Sequence, residues 1–120
     1  MSERIEQLAN LFRNAAAAAV AADPGEGLEN DGGTCNMDTP AFRLPGVPAS
    51  VVAEASTSAG VPAESFRWFG GKVWYWLRVP LHGQANRRST MMTAAQRVLD
   101  RAQESGEVAG LESCGYYQMD

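Results

Sequence analysis

The sequence predicts an α+β domain: an N-terminal helix followed by β-α-β-β-α-β, closing into a four-stranded antiparallel sheet with its helices on one face. Three observations carry this. Apolar residues recur at spacings of three and four near both ends of the chain, Ile5, Leu8, Phe12, Ala15 and Ala19 in one stretch and Met91, Met92, Ala95, Val98, Leu99 and Ala102 in the other. A Gly70-Gly71 pair separates two strand-like runs. The second of those runs alternates strictly, with Val73, Tyr75, Leu77 and Val79 pointing one way and Lys72, Trp74, Trp76 and Arg78 the other.

Each element follows from local chemistry. Ser2 can cap the first helix, with Glu3 and Glu6 in its favourable first turn, and Asp23-Pro24-Gly25 stops it. The alanine run Ala15–Ala19 lets another helix approach closely, so this segment (1–23) is read either as an oligomerisation element or as a helix lying on its own sheet. Residues 24–33 are a polar, glycine-rich connection, and their acids do not match a calcium loop. Residues 34–43 read as a strand, with Pro40 at an edge or bulge. A helix follows from Pro48 to Ser58, ended by Gly60. Ser65–Phe69 and Lys72–Val79 form the hairpin around a Gly70-Gly71 turn. After the loop 80–88, Ser89 or Thr90 caps a helix that stops at Gly106, and a last strand lies within 108–119. The β-α-β-β-α-β order is that of the ferredoxin-like arrangement, with residues 33–120 as its core. In it the first and last strands are neighbours, so Cys35 and Cys114 fall on adjacent strands, where they read as small apolar residues.

Composition narrows the function. The chain of 120 residues is 45% hydrophobic and 20% charged, a globular balance for a single domain. The net charge of −4 argues against a general polyphosphate or long nucleic-acid binder. That total is split: residues 1–60 carry a net of −5, and residues 67–101 a net of +6. Nine of the ten bases are arginine, which suits bidentate phosphate contact and stacking on flat rings. No run is apolar enough to span a bilayer, no secretory leader is visible, and two cysteines make no disulfide framework. The expectation is a reduced, cytoplasmic protein without a membrane partner, a metal or a cofactor.

Two constellations can carry function. On the hairpin, Trp74 and Trp76 stand between Lys72 and Arg78, and rings beside cations hold nucleic-acid bases by stacking. The plain alternative buries both indoles against the first helix or a second subunit. In residues 83–90, Asn86 can read a base edge, and Arg87 and Arg88 precede a helix start that favours an anion. The plain alternative there is a capped helix with solvated arginines. Arg43 and Arg13 are outside candidates. The single histidine, His82, has no nucleophile framed beside it, so catalysis is not expected.

A resemblance adds to this. Gly33-Thr34-Cys35-Asn36 with Asp38, the aromatic hairpin, Gly83-Gln84 with Asn86-Arg87, and the terminal Tyr116-Tyr117-Gln118-Met119-Asp120 together resemble short phage and prophage proteins of the first Thoeris anti-defence family. The likeness runs over roughly residues 33–120. It implies sponges that sequester cyclic ADP-ribose-type immune signals without turnover, some of them also holding cyclic oligonucleotides made by CBASS-type enzymes. It further implies homo-oligomers such as hexamers, built partly through N-terminal helices, in the host cytoplasm. The family's adenine-stacking aromatic and the asparagine after it map onto Trp76 and Asn86. This chain has tryptophan where the family has phenylalanine, which bears on ligand preference.

The expectation is a non-enzymatic binder of a small cyclic nucleotide, with Trp76, Asn86, Arg87, Arg88, Arg78 and Trp74 as ligand-binding residues. The alternatives are an inhibitor or adaptor acting by protein contact, and a small single-stranded nucleic-acid-binding domain.

Overall fold

Ser2 accepts the backbone N–H of Ile5 through its hydroxyl at 3.2 Å, and helix α1 runs from Glu3–Ala22 behind that cap. The structure, a computed structural model, describes residues 2–27, 30, 32, 36–83 and 85–118. Gly33, Thr34, Cys35, Gln84, Met119 and Asp120, and with them the adjacency of Cys35 and Cys114, lie outside the described residues. After α1 come β1 (Ala41–Arg43), α2 (Ala49–Ala59), β2 (Ala63–Trp68), β3 (Lys72–Leu77), α3 (Asn86–Ser105) and β4 (Glu112–Ser113).

The four strands form one sheet in the order β2-β3-β1-β4, and every neighbouring pair is antiparallel. The first and last strands are therefore side by side, as expected. Strand β1 is shorter than the 34–43 reading, because Pro40 has no N–H to give the ladder. The alignment with β4 nevertheless continues past it, through a Thr39–Tyr116 bridge and a 2.7 Å bond from the Met37 N–H to the Gln118 carbonyl.

The hairpin differs from expectation by one residue. Its loop is Phe69-Gly70-Gly71, all three at positive φ, and not Gly70-Gly71 alone. Trp68 therefore faces Lys72, and Phe66 faces Trp74. A two-residue turn would shift the register by one and send Phe66 and Trp68 to the opposite face.

Helix α2 ends on Gly60 at φ 70°, a left-handed cap. Helix α3 begins three residues before the expected Ser89 cap. Ala85 holds the N-cap position and has no side-chain acceptor to offer. The first turn is fastened from outside instead, by Arg87 to Asp23 and by Arg88 to the Asp38 carbonyl.

The core lies between one sheet face and the helices. Phe42 is fully buried, with the Phe12 ring 5.3 Å away on the helix side and Tyr75 stacked at 5.2 Å on the neighbouring strand. Val73, Tyr75 and Leu77 share this side of β3, as the alternation predicts. Helix α1 packs against both α2 and α3. Its whole apolar stripe, Ile5, Leu8, Leu11, Phe12, Ala15 and Ala19, is buried inside the chain. The alanine run is used only in part by this packing: Ala15 and Ala19 are buried in the core, whereas Ala17 is exposed. Among the described residues no helix is long and apolar enough to cross a membrane.

Candidate functional site

The sheet's other face is paved with aromatic rings, and none of the helices α1, α2 and α3 covers it. The register places Glu64, Phe66 and Trp68 of β2 beside Trp76, Trp74 and Lys72 of β3, all on this side. Phe66 stacks on Trp76 with centroids 4.1 Å apart and planes 4° from parallel. Tyr116, opposite Thr39 at the far edge, reaches back over Ala41 and meets Phe66, Trp68 and Trp76 edge-on at 5.4, 5.3 and 5.5 Å. Small residues at positions 41 and 114 leave the room it crosses. Phe69, on the hairpin tip, stacks on Trp68 at 4.2 Å and remains 56% exposed.

Trp74 lies deepest, at 6% exposure, beneath Trp68 and Phe69. The indole N–H groups of Trp74 and Trp76 are both buried and meet no acceptor among the described residues. Leaving such a donor unpaired costs about 1–3 kcal/mol, and groups of this kind mark places where a fold accepts strain.

Cations gather where β3 leaves the sheet. The Arg78 guanidinium sits 5.0 Å over the Trp76 ring. Phe66 already covers one face of that ring, so Arg78 occupies the other. Arg78 also gives Nε and Nη2 to a single carboxylate oxygen of Glu64, at 3.0 and 2.5 Å. Arg88 comes in from α3. Its Nε donates to the Asp38 carbonyl at 3.1 Å and its Nη2 to the Thr39 hydroxyl at 3.4 Å. Arg88 forms no ion pair with a described residue. Burial lowers its pKa, the Asp38 charge opposes that, and the nearby Arg78 charge adds to the lowering. Two guanidiniums thus share the end of an aromatic platform, with Glu64 paired to Arg78 and the Asp38 charge acting on Arg88.

The sequence-predicted residues divide accordingly. Trp76, Arg78 and Trp74 stand together on the open face, and Arg88 joins them at its end. Asn86 is exposed at the first position of α3. Its backbone N–H donates to the Gly32 carbonyl at 3.2 Å, and its side chain makes no hydrogen bond to a described residue. Arg87 is engaged elsewhere: its Nε and Nη2 hold both oxygens of Asp23 at 2.8 and 2.9 Å, fastening the end of α1 to the start of α3. Of the outside candidates, Arg43 pairs with Glu112 at 2.6 Å, and Arg13 donates to Asn10 and Ser58. His82 is exposed in the loop. Among the described residues no group of three or more His, Cys, Asp or Glu side chains could hold a metal ion.

The Arg87–Asp23 pair makes a pH prediction. The guanidinium, with help from the Gly25 N–H, holds the Asp23 carboxyl far below the ordinary carboxylate range. A depressed folded-state pKa means a contribution fully present above the unfolded value of roughly 3.9 and lost as pH falls toward the folded one. Asp23→Asn and Arg87→Ala are expected to lower the unfolding midpoint at pH 7. That gap to the parent should shrink once pH drops below about 3.9. A gap that stays constant down to pH 2 would show that the pair contributes nothing through its charge.

Phe66, Trp68, Phe69, Tyr116 and Glu64 belong to this face and were not singled out from sequence. For Glu64, Phe66 and Trp68 the signal was the hairpin loop length, since a three-residue loop sets the β2 alternation in phase with Trp74 and Trp76. Comparison of the chain with protein-family models, curated proteins and solved structures gives no match.

Proposed function

We propose that this protein binds a small cyclic nucleotide on the open face of its sheet and holds it without turnover. The observation that carries the reading is the juxtaposition of Trp76 with Arg78 and Arg88 where an uncovered aromatic platform ends. Each half of a nucleotide finds its complement there. A base stacks on a ring for roughly 1–3 kcal/mol. A phosphate takes the planar fork of arginine in a bidentate grip. Two guanidiniums suffice for a compact ligand with one or two phosphates, so a net charge of −4 is no obstacle.

The sheet order, with β1 and β4 central and edge neighbours and β2 at the other edge, supports the ferredoxin-like arrangement. The extra helix α1 is added between α2 and α3. The resemblance to the phage sponges supplies the biological setting: sequestration of cyclic ADP-ribose isomers or cyclic di- and trinucleotides in the host cytoplasm. Of the residues it maps, Trp76 keeps its role as the stacking ring. Of the three arginines expected to hold phosphate, Arg78 and Arg88 keep that role and Arg87 drops out, because it is committed to Asp23.

Calorimetric titration with cyclic ADP-ribose isomers and cyclic di- and trinucleotides tests the proposal, followed by denaturation and weighing of the released ligand. Intact ligand is expected. Trp76→Ala is expected to weaken binding about 5- to 150-fold, the equivalent of one lost stack. Arg88→Ala should weaken it too, whereas Arg87→Ala should alter stability more than affinity. Altered ligand on release, or full affinity in Trp76→Ala and Arg88→Ala, would overturn the reading.

A further inference from the structure

We infer that Glu64 is a built-in competitor for the ligand's phosphate at Arg78, so that the open face admits nucleotides bearing an anionic group and turns away the neutral nucleoside. This rests on the reading just given and names the ligand class of that same site.

In the structure Trp76 has no uncovered face. Phe66 lies parallel on one side at 4.1 Å, and the Arg78 guanidinium lies over the other at 5.0 Å. A base can stack there only if Arg78 leaves. What holds Arg78 is Glu64, which the β2–β3 register sets directly opposite Trp76 and which receives two of the guanidinium's donors. Removing Arg78 from the ring therefore means giving its charge another partner. A neutral nucleoside offers none. A phosphate offers two oxygens in the plane of the guanidinium, a better match than the single oxygen that Glu64 presents.

The exchange also suits the surroundings. The Glu64 side chain is 55% exposed, so the released carboxylate returns to water without being stranded. Arg88 lies close by, anchored only to a carbonyl and a hydroxyl, and gains a counter-charge that no described residue gives it at ion-pair distance. One incoming anion thus serves two guanidiniums where Glu64 serves one.

The test compares the full chain with Glu64→Gln, using cyclic ADP-ribose, cyclic di-AMP and adenosine as probes and tryptophan fluorescence and calorimetry as readouts. Glu54→Gln, which removes the same charge from an exposed position on α2, controls for the overall field. Glu64→Gln is expected to bind whichever cyclic nucleotide the parent binds about 3- to 5-fold more tightly, as expected for losing a charged competitor at a partly exposed site. Glu54→Gln is expected to stay within about twofold, its charge being screened at distance. Adenosine is expected to bind neither the parent nor Glu54→Gln, and to gain weak binding in Glu64→Gln, where no carboxylate holds Arg78 over the ring. If the parent binds a cyclic nucleotide and Glu64→Gln binds it no better than Glu54→Gln does, the competitor role is overturned and the nucleotide reading stands. Adenosine binding as tightly as the cyclic nucleotides would overturn the anion requirement. Failure of all probes on all three proteins would overturn both proposals.

Discussion

A chain shortened to begin at Gly25 is expected to lose cooperative unfolding entirely. Helix α1 is the middle of the helical layer and buries Ile5, Leu8, Leu11 and Phe12 against α2, α3 and the sheet. Burying a side chain of that size contributes about 1.5–3 kcal/mol, so the four together approach the whole margin of roughly 5–15 kcal/mol that keeps a domain folded. Removal also exposes the partners, Val52 and Ala55 on α2 and Met91, Ala95 and Leu99 on α3, which are buried in the same cluster. Urea unfolding followed by near-ultraviolet circular dichroism would show the loss, since the tryptophan signal should be flat and featureless without denaturant. A sharp transition in the shortened chain would mean that α2 and α3 close over the sheet by themselves. In that case α1 would be an addition to the fold and free to engage other copies.

Phe42→Ala is the point substitution expected to cost most. Phe42 has no exposed surface, meets Phe12 from the helical layer, stacks on Tyr75 and pairs with β3 and β4 at once. Truncating a fully buried phenylalanine costs about 3–5 kcal/mol, part lost transfer energy and part the cavity left behind. For a chain of this length that lowers the melting temperature by about 12–20 °C. Thermal unfolding followed by circular dichroism reads it directly. A shift of only a few degrees would place the centre of the core elsewhere.

Much of this architecture could be read from the chain, and the reasons are physical. Strict alternation along Lys72–Leu77 assigns both faces of β3 because a strand's period is two, and the helical stripes of α1 and α3 are long enough to fix their buried sides. The sequence alone places the start of α3 too late, because Ser89 and Thr90 look like caps. The true boundary is set by Arg87 and Arg88 reaching to Asp23 and Asp38, partners 64 and 50 residues away that no local pattern reveals. Gln96 is a similar case. It sits within an apolar stripe and is buried, with its side-chain oxygen accepting the Ala41 N–H at 3.1 Å and its amide donating to Asp100 at 3.0 Å. At the candidate site Trp76 and Arg78 were legible from one strand alone. Phe66 and Tyr116 were not, since both arrive from other strands whose phase depends on a three-residue loop and on a distant bridge. Arg87 looked like an anion ligand because it stands beside Arg88 before an expected helix start, while its neighbour in space is a carboxylate.

The position of α1 also bears on how the protein is made. It is synthesised well before the helix that covers it, α3, which ends at Ser105. At about 5–20 residues per second, roughly 4–17 s pass between synthesis of the two ends of this contact. During that interval the Ile5–Phe12 stripe has no native partner from the far end of the chain. Contacts so distant in sequence also slow folding once the chain is complete, because the loop must close before burial rewards it. Helix α1 is thus made before its cover and is among the last elements to be secured. Its alanine-rich second half, less sticky than a leucine stripe would be, suits a segment that must wait.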